Sequence, residues 1–184
     1  MRVSVCGLLL AAGGGRRYGM PKALAPTPGN PGQLLVERGV RTLLEAGCSP
    51  VVVVLGAGAE QVPELPGTRV VLNPDWASGM GSSLRAGLVE AEGEAVVVLL
   101  VDTPGVTAEA VRRVSRGADA SSLRAATYRG ERGHPVLLGR AHWDGVAELA
   151  VGDVGARPYF KVHAPEPVPC EDVADGRDLD VPDA

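Results

Sequence analysis

Aromatic side chains are scarce in this chain. One Phe, two Trp and three Tyr make up 3% of 184 residues, so the core has to be built from Val, Leu and Ala. Cysteine is scarce too. Cys6, Cys48 and Cys170 are odd in number and far apart, with no C-x-x-C or Cys/His cluster, which excludes a disulfide framework or a zinc site. Cys6 sits in an apolar run and reads as a core residue. The apolar runs are too short to span a membrane. The short run after Arg2 ends in glycines without a cleavage-like site, so no signal peptide is expected and the protein is read as cytoplasmic. No basic tract is present and the net charge is −4, which argues against a nucleic-acid platform. No repeat, linker or low-complexity segment breaks the chain, and its length suits one domain, residues 1–184.

Two nucleotide motifs are also missing. A P-loop ends in Gly-Lys-Ser/Thr, but Gly19 is followed by Met20 and Pro21, and no Ser or Thr follows Lys22. The dinucleotide fingerprint G-x-G-x-x-G starts at Gly13 and Gly15, but Tyr18 takes its third place. Gly56-Ala57-Gly58 lacks its third glycine as well, since Gln61 stands there, and reads as a plain strand-to-helix turn.

What is there centres on Leu8 to Lys22, LLLAAGGGRRYGMPK. An apolar run breaks into Gly13, Gly14 and Gly15 and ends among Arg16, Arg17 and Lys22. Glycines let backbone N–H groups approach a ligand closely, and cations beside such a nest suit a polyphosphate.

Val3 to Ala12 reads as a strand buried on both faces. Ala23 to Gln33 holds Pro26, Pro28 and Pro31 and reads as a loop. Leu34 to Ala46 has helical spacing, with Leu35, Val36, Val40, Leu43 and Leu44 on one side and Gly47 as its stop. Val51 to Leu55 and Arg69 to Leu72 are strands, and Gly79 to about Glu92 a glycine turn into a helix with Ser82 and Ser83 near its N-terminus. Glu94 to Val101 is a strand that ends at Asp102, where ligands gather in open α/β sheets. Thr107 is the better cap for the next helix, which leaves Asp102 free, well placed to hold a metal ion. Ser122 to Tyr128 is a strand, Tyr128 to His134 a polar loop, Gly133 to Leu138 a strand, Trp143 to Leu149 a helix, and 152–157 a turn. Pro165 to Val168 is a final strand before an acidic tail. Alternating strands and helices predict a three-layer, Rossmann-like α/β fold with a mainly parallel, mixed sheet.

Leu10, Ala11, Ala12, Gly13, Gly15, Arg17, Gly19 and Lys22 match the L-A-A-G-x-S/G-x-R-M-G-x-x-K signature, with Tyr18 for Met. This stretch resembles the MobA-like nucleotidyltransferases with a glycosyltransferase-A-like fold, the nucleotide-diphospho-sugar transferase type. Asn73-Pro74-Asp75-Trp76 and Gly79 to Leu88 resemble the N-x-x-W-x-x-G-M-x-x-S-L-x-x-G-L stretch of the molybdenum cofactor cytidylyltransferases. Asp102-Thr103-Pro104 is similar to their D-Q-P, with Thr for Gln. Gly133-His134-Pro135-Val136-Leu137 and Gly152-Asp153-Val154-Gly155-Ala156-Arg157 are similar to their acceptor-side motifs. Asp178 to Asp183 is similar to their D-I-D-T-P-E-D segment, and their closing helix is expected to be missing.

The resemblance implies CMP transfer from CTP onto a phosphate-bearing, pterin-type acceptor that carries molybdenum. It places Leu10, Ala11, Ala12, Gly13, Gly14, Gly15 and Ser83 on the nucleotide, with Ser83 at the cytosine. Arg17 and Lys22 fall at the triphosphate, His134, Asp153 and Arg157 at the acceptor, and Asp102 and Asp180 at one Mg²⁺. It also implies a delivery partner for the cofactor. Leu-Ala-Ala-Gly favours the cytidylyl over the guanylyl type. Transfer with GTP, transfer to another acceptor, a non-catalytic nucleotide-binding module and an oxidoreductase of the nicotine-blue type stay open as alternatives.

Overall fold

The computed structural model describes residues 4–182, so Val3 and Asp183 lie outside the described residues. Its centre is β1 (Val5–Ala11), the buried run before the glycines. β1 lies between two further Val/Leu runs, β4 (Val51–Leu55) and β6 (Ala95–Leu100), and pairs in parallel with both. Apolar residues on both faces of three neighbouring parallel strands require cover on both sides.

The seven-stranded sheet runs β5 (Arg69–Leu72), β4, β1, β6, β8 (Glu131–Gly139), β7 (Leu123–Tyr128), β9 (Glu166–Pro169). Only β8 runs against its neighbours β6 and β7, so the sheet is mixed and mainly parallel, as expected. On one face Leu9, Ala11, Val53 and Val97 pack against α1 (Leu35–Glu45) and α3 (Ala108–Ser115). On the other, Leu8, Leu10, Val52 and Val98 pack against α2 (Met80–Glu90), α4 (Trp143–Leu149) and α5 (Arg157–Val162). That makes three layers. The three cysteines are buried and unpaired. No helix among the described residues is long and apolar enough to cross a membrane.

Four local expectations need correction. The proline-rich loop holds a small antiparallel ribbon, β2 (Pro26–Thr27) with β3 (Asn30–Leu34); its prolines sit where no ladder N–H is needed. The polar loop after Tyr128 shrinks to a turn at Arg129-Gly130, because β8 starts at Glu131 and pairs back at once onto β7. Charged side chains at 131 and 132 hide a strand whose first residues are exposed. Leu44 is exposed on α1 while Leu35, Val36, Val40 and Leu43 are buried. Arg157 opens a helix rather than closing a turn, with Pro158 in its first turn.

α2 is seated by close approach. A Cβ on Gly81 would stand 2.5 Å from the carbonyl oxygen of Ala150, in a backbone that cannot swing aside like a side chain. The Gly81 N–H also donates to the Gly152 carbonyl at 2.9 Å. Gly81→Ala is therefore expected to push the start of α2 off the 150–152 segment and to cost about 1–3 kcal/mol of stability, read from urea unfolding.

Candidate active site

The site forms where β1 and β6 end at the same edge. Leu10 pairs with Leu100, and the Val101 N–H donates to the Leu10 carbonyl at 3.1 Å. The chain leaving β1 and the carboxylate leaving β6 therefore start side by side. After Ala12 the chain turns back on itself, and the Gly19 N–H closes the turn on the Gly15 carbonyl at 2.8 Å. Gly15 has φ +62°, and a side chain there would run into the Met20 carbonyl. The ring of Trp76 lies so close to Gly14 that a Cβ would come within 2.9 Å of it, so any side chain there would have to displace the indole.

A cleft of about 520 Å³ opens over this loop. Leu10, Ala12, Gly13 to Tyr18, Lys22, Ser83, Asp102, Asp153 and Asp180 line it, together with Trp76, Gly79, Met80 and Leu100. Most of the residues expected at the site are thus brought together. Ala11 is not: alternation along β1 turns it to the opposite face, into the core under α1 and α3. His134 and Arg157 also stand outside the lining, although Arg157 acts on the charge of Asp178 and Asp102 acts on His134. Trp76 and Met80 also line the cleft, and the N-x-x-W and G-M motifs are the signal in the sequence that points to them.

Charge is concentrated at one point. The Lys22 ammonium lies 3.1 Å from Asp102 Oδ2 and 3.8 Å from Asp180 Oδ1. Arg17 reaches Asp180 Oδ1 at 3.7 Å. Lys22 is 17% exposed and Arg17 81%, so the lysine contact is the better shielded of the two. Lys22 thus stands within reach of both carboxylates and offsets their mutual repulsion.

The tail is held by backbone hydrogen bonds. The Leu179 N–H donates to the Asp102 carbonyl at 2.7 Å, and the Asp175 N–H to the Gly105 carbonyl at 3.0 Å. Asp178 stands in the same field. Its carboxyl is pushed up from the usual range, first by desolvation and then by the charges of Asp102 and Asp180.

The other Asp102 oxygen, Oδ1, is buried without a hydrogen-bond partner. A buried carboxylate oxygen left unpaired is costly, and a cation is one way to satisfy it. Among the described residues no set of three or more His, Cys, Asp or Glu is arranged to hold a metal. What Asp102 and Asp180 offer is a two-carboxylate, all-oxygen corner. That fits a hard divalent ion which keeps water and takes its remaining ligands from phosphate. Thr107 caps α3 by accepting from the Ala110 N–H at 3.2 Å, which leaves Asp102 free of capping, as expected.

His134 lies in β8, half-buried. Burial pushes its imidazole down to about 4; the charge of Arg157 adds to this and that of Asp102 opposes it. It is thus neutral at physiological pH and cannot serve as a standing cation for a phosphate.

A glycine loop with cations over it, a serine on a helix opposite and carboxylates at the strand ends define an α/β nucleotidyltransferase. The chain belongs to the MobA-like NTP transferase domain family, whose model matches residues 7–168. It is 38% identical to the nicotine blue oxidoreductase of Paenarthrobacter nicotinovorans, across 96% of this chain and 92% of that protein. A protein of Chloroflexus aggregans named "Probable molybdenum cofactor guanylyltransferase" is 33% identical over 56% of this chain and 49% of its own length. Among solved structures, the Rv0371c homologue from Mycobacterium sp. strain JC1 superposes with a TM-score of 0.81 at 29% identity, over 98% of this chain and 92% of that one.

The depressed His134 makes a pH signature. Between its ordinary value of 6.5 and about 4, the unfolded chain takes up a proton at this residue that the folded chain refuses. Stability from this source is complete above 6.5 and is lost as pH falls through that window. Urea unfolding of wild type and His134→Gln at pH 7 and pH 4.5 should show a smaller acid loss in the variant.

Proposed function

We propose that this chain transfers CMP from CTP to a phosphate-bearing, pterin-type acceptor, releasing pyrophosphate. The observation that carries the reading is the corner made by Lys22, Asp102 and Asp180 beside the glycine loop, with the orphaned Asp102 Oδ1 inside it. The triphosphate lies over Gly13, Gly14 and Gly15, whose open backbone offers N–H groups. The base reaches Ser83 at the start of α2. Asp153, on the cleft wall, meets the acceptor, and Arg157 adds positive charge from outside the lining.

An oxygen of the acceptor's phosphate attacks the α-phosphorus, the bond from that phosphorus to the bridging oxygen breaks, and pyrophosphate carries the electron pair away. Such transfers ask a protein mainly for positioning and charge. Arg17 and Lys22 supply the positive charge that faces the leaving pyrophosphate. Asp102 and Asp180 would hold a divalent cation such as Mg²⁺, which when bound neutralises phosphate oxygens.

Lys22→Ala is expected to lower kcat by about 10²–10³-fold while the fold survives, since loss of one preorganised charge at the reacting centre is commonly that large. Arg17→Ala is expected to lose less, being far more exposed. The assay is pyrophosphate release from CTP and GTP, with and without acceptor. Near-normal release by a folded Lys22→Ala protein sinks the triphosphate reading, and a GTP preference reverses the choice of base.

Asp102→Asn and Asp180→Asn should each raise the Mg²⁺ concentration needed for half-maximal turnover. A Mg²⁺ titration unchanged in Asp180→Asn would remove the tail from the cation site.

The 38% identity to the nicotine blue oxidoreductase supports a second reading, reduction of such a dye. Reduction of nicotine blue at the expense of a nicotinamide cofactor, with no acceptor-dependent pyrophosphate release from any nucleotide, would favour it.

A further inference from the structure

Opposite the glycine loop, three buried polar side chains form a closed network with one donor left over. Asn73 follows β5 and is 5% exposed. Its Oδ1 accepts from the Asp75 N–H at 3.0 Å. A backbone donor on that side fixes which way the amide points, because the flipped amide would set two donors face to face. The NH₂ group must then face the serines. Nδ2 donates to Ser82 Oγ at 2.8 Å and to Ser83 Oγ at 3.0 Å, which uses both of its protons.

The two serines differ in what they do next. Ser82 passes its proton to a backbone carbonyl, that of Gly79 at 2.9 Å or of Asp75 at 3.1 Å. Ser83 is 4% exposed, and its hydroxyl proton has no acceptor among the described residues. What remains open of Ser83 faces the cleft beside Leu10, Ala12 and Met80. Asn73 takes one lone pair of its oxygen, and the hydroxyl proton is still unspent and can be presented to the cleft. A buried donor left without an acceptor costs free energy, so a ligand that supplies one is preferred.

We infer that Asn73 is a specificity-determining residue: by donating to the Ser83 oxygen it leaves the hydroxyl proton for the cleft, so a bound base that presents an acceptor there is favoured. This rests on the reading that places a base at Ser83. Cytosine answers it, with N3 and O2 both unprotonated on one edge. The corresponding edge of guanine leads with the N1–H and N2 amine donors. Asn73 acts through Ser83 and touches no reacting atom. Its side chain therefore sets which base is accepted.

The test reverses the polarity. In Asn73→Asp the carboxylate still accepts from Asp75 but now also accepts the Ser83 proton, which turns oxygen lone pairs towards the cleft. Isothermal titration of the full chain with CTP and with GTP, in Mg²⁺, reads the result. Ser83→Ala is expected to weaken CTP about tenfold and GTP little. Asn73→Asp is expected to weaken CTP at least as much and to lower the CTP-to-GTP affinity ratio, and to have no further effect on that ratio in a Ser83→Ala background. Asn73→Ala, which buries no charge, frees the Ser83 hydroxyl to rotate. It should lower the ratio a few-fold with Ser83 present and leave it unchanged without it, so the inference stays testable if the Asp variant fails to fold. Equal losses for CTP and GTP in the Asn73 variants, or ratio losses that persist in Ser83→Ala, would show a merely structural role and overturn the inference. A loss in Ser83→Ala with none in either Asn73 variant overturns it while leaving the base reading intact. Wild type and Ser83→Ala binding CTP alike would overturn both.

Discussion

Leu10 and Leu100 face each other in parallel strands, and everything at the site depends on that register. Parallel pairing brings the C-terminal ends of β1 and β6 to one edge, where the chains leave the sheet side by side. The glycine turn leaves from one strand and Asp102 from the other. A shift of one residue would put Leu10 and Ala12 into the opposite core and Ala11 into the cleft. Both faces of β1 are buried, so such a slip would not expose apolar surface, and pairing on both sides has to resist it.

The second constraint is long-range. Asp180 reaches Lys22 because the C-terminal segment is pinned backbone to backbone, Asp175 on Gly105 and Leu179 on the carbonyl of Asp102 itself. A residue about eighty positions away in sequence thus completes the charge pattern at the end of β6. Lys22 joins the two carboxylates in the middle of it. The corner balances charge without being saturated, since one Asp102 oxygen is buried and unanswered. A polar site that is fully satisfied is rigid and closed; this one keeps a single unmet acceptor at its base.

The opposite wall follows the same economy. Asn73 spends both amide protons and its carbonyl inside the protein, Ser82 spends its proton on a backbone carbonyl, and the Ser83 proton is left for the cleft. One wall therefore lacks a partner for an acceptor and the other lacks one for a donor. Trp76 ties the two walls together, packed against Gly14 of the loop and lying three residues beyond Asn73.

The order of strands and helices, the glycine turn with Arg17 and Lys22 beside it, and Asp102 at the end of β6 were legible in the amino-acid sequence, because each is set by local chemistry; Ser83 was picked out by the family resemblance. Apolar runs mark buried parallel strands, glycines mark a backbone turn, and a cap at Thr107 leaves Asp102 free. The start of β8 was not legible, since exposed charged residues at its mouth look like loop until β7 pairs with them. The exclusion of Ala11 from the cleft follows from which face of β1 meets α2, and sequence alternation gives two faces without saying which is which. The Lys22 bridge, the pinned tail and the orientation of the Asn73 amide join residues far apart in the chain. They exist only once the backbone hydrogen bonds that carry them have formed. The sequence by itself determined which groups are available to the site, and the tertiary structure decided which oxygens and protons remain unspent there.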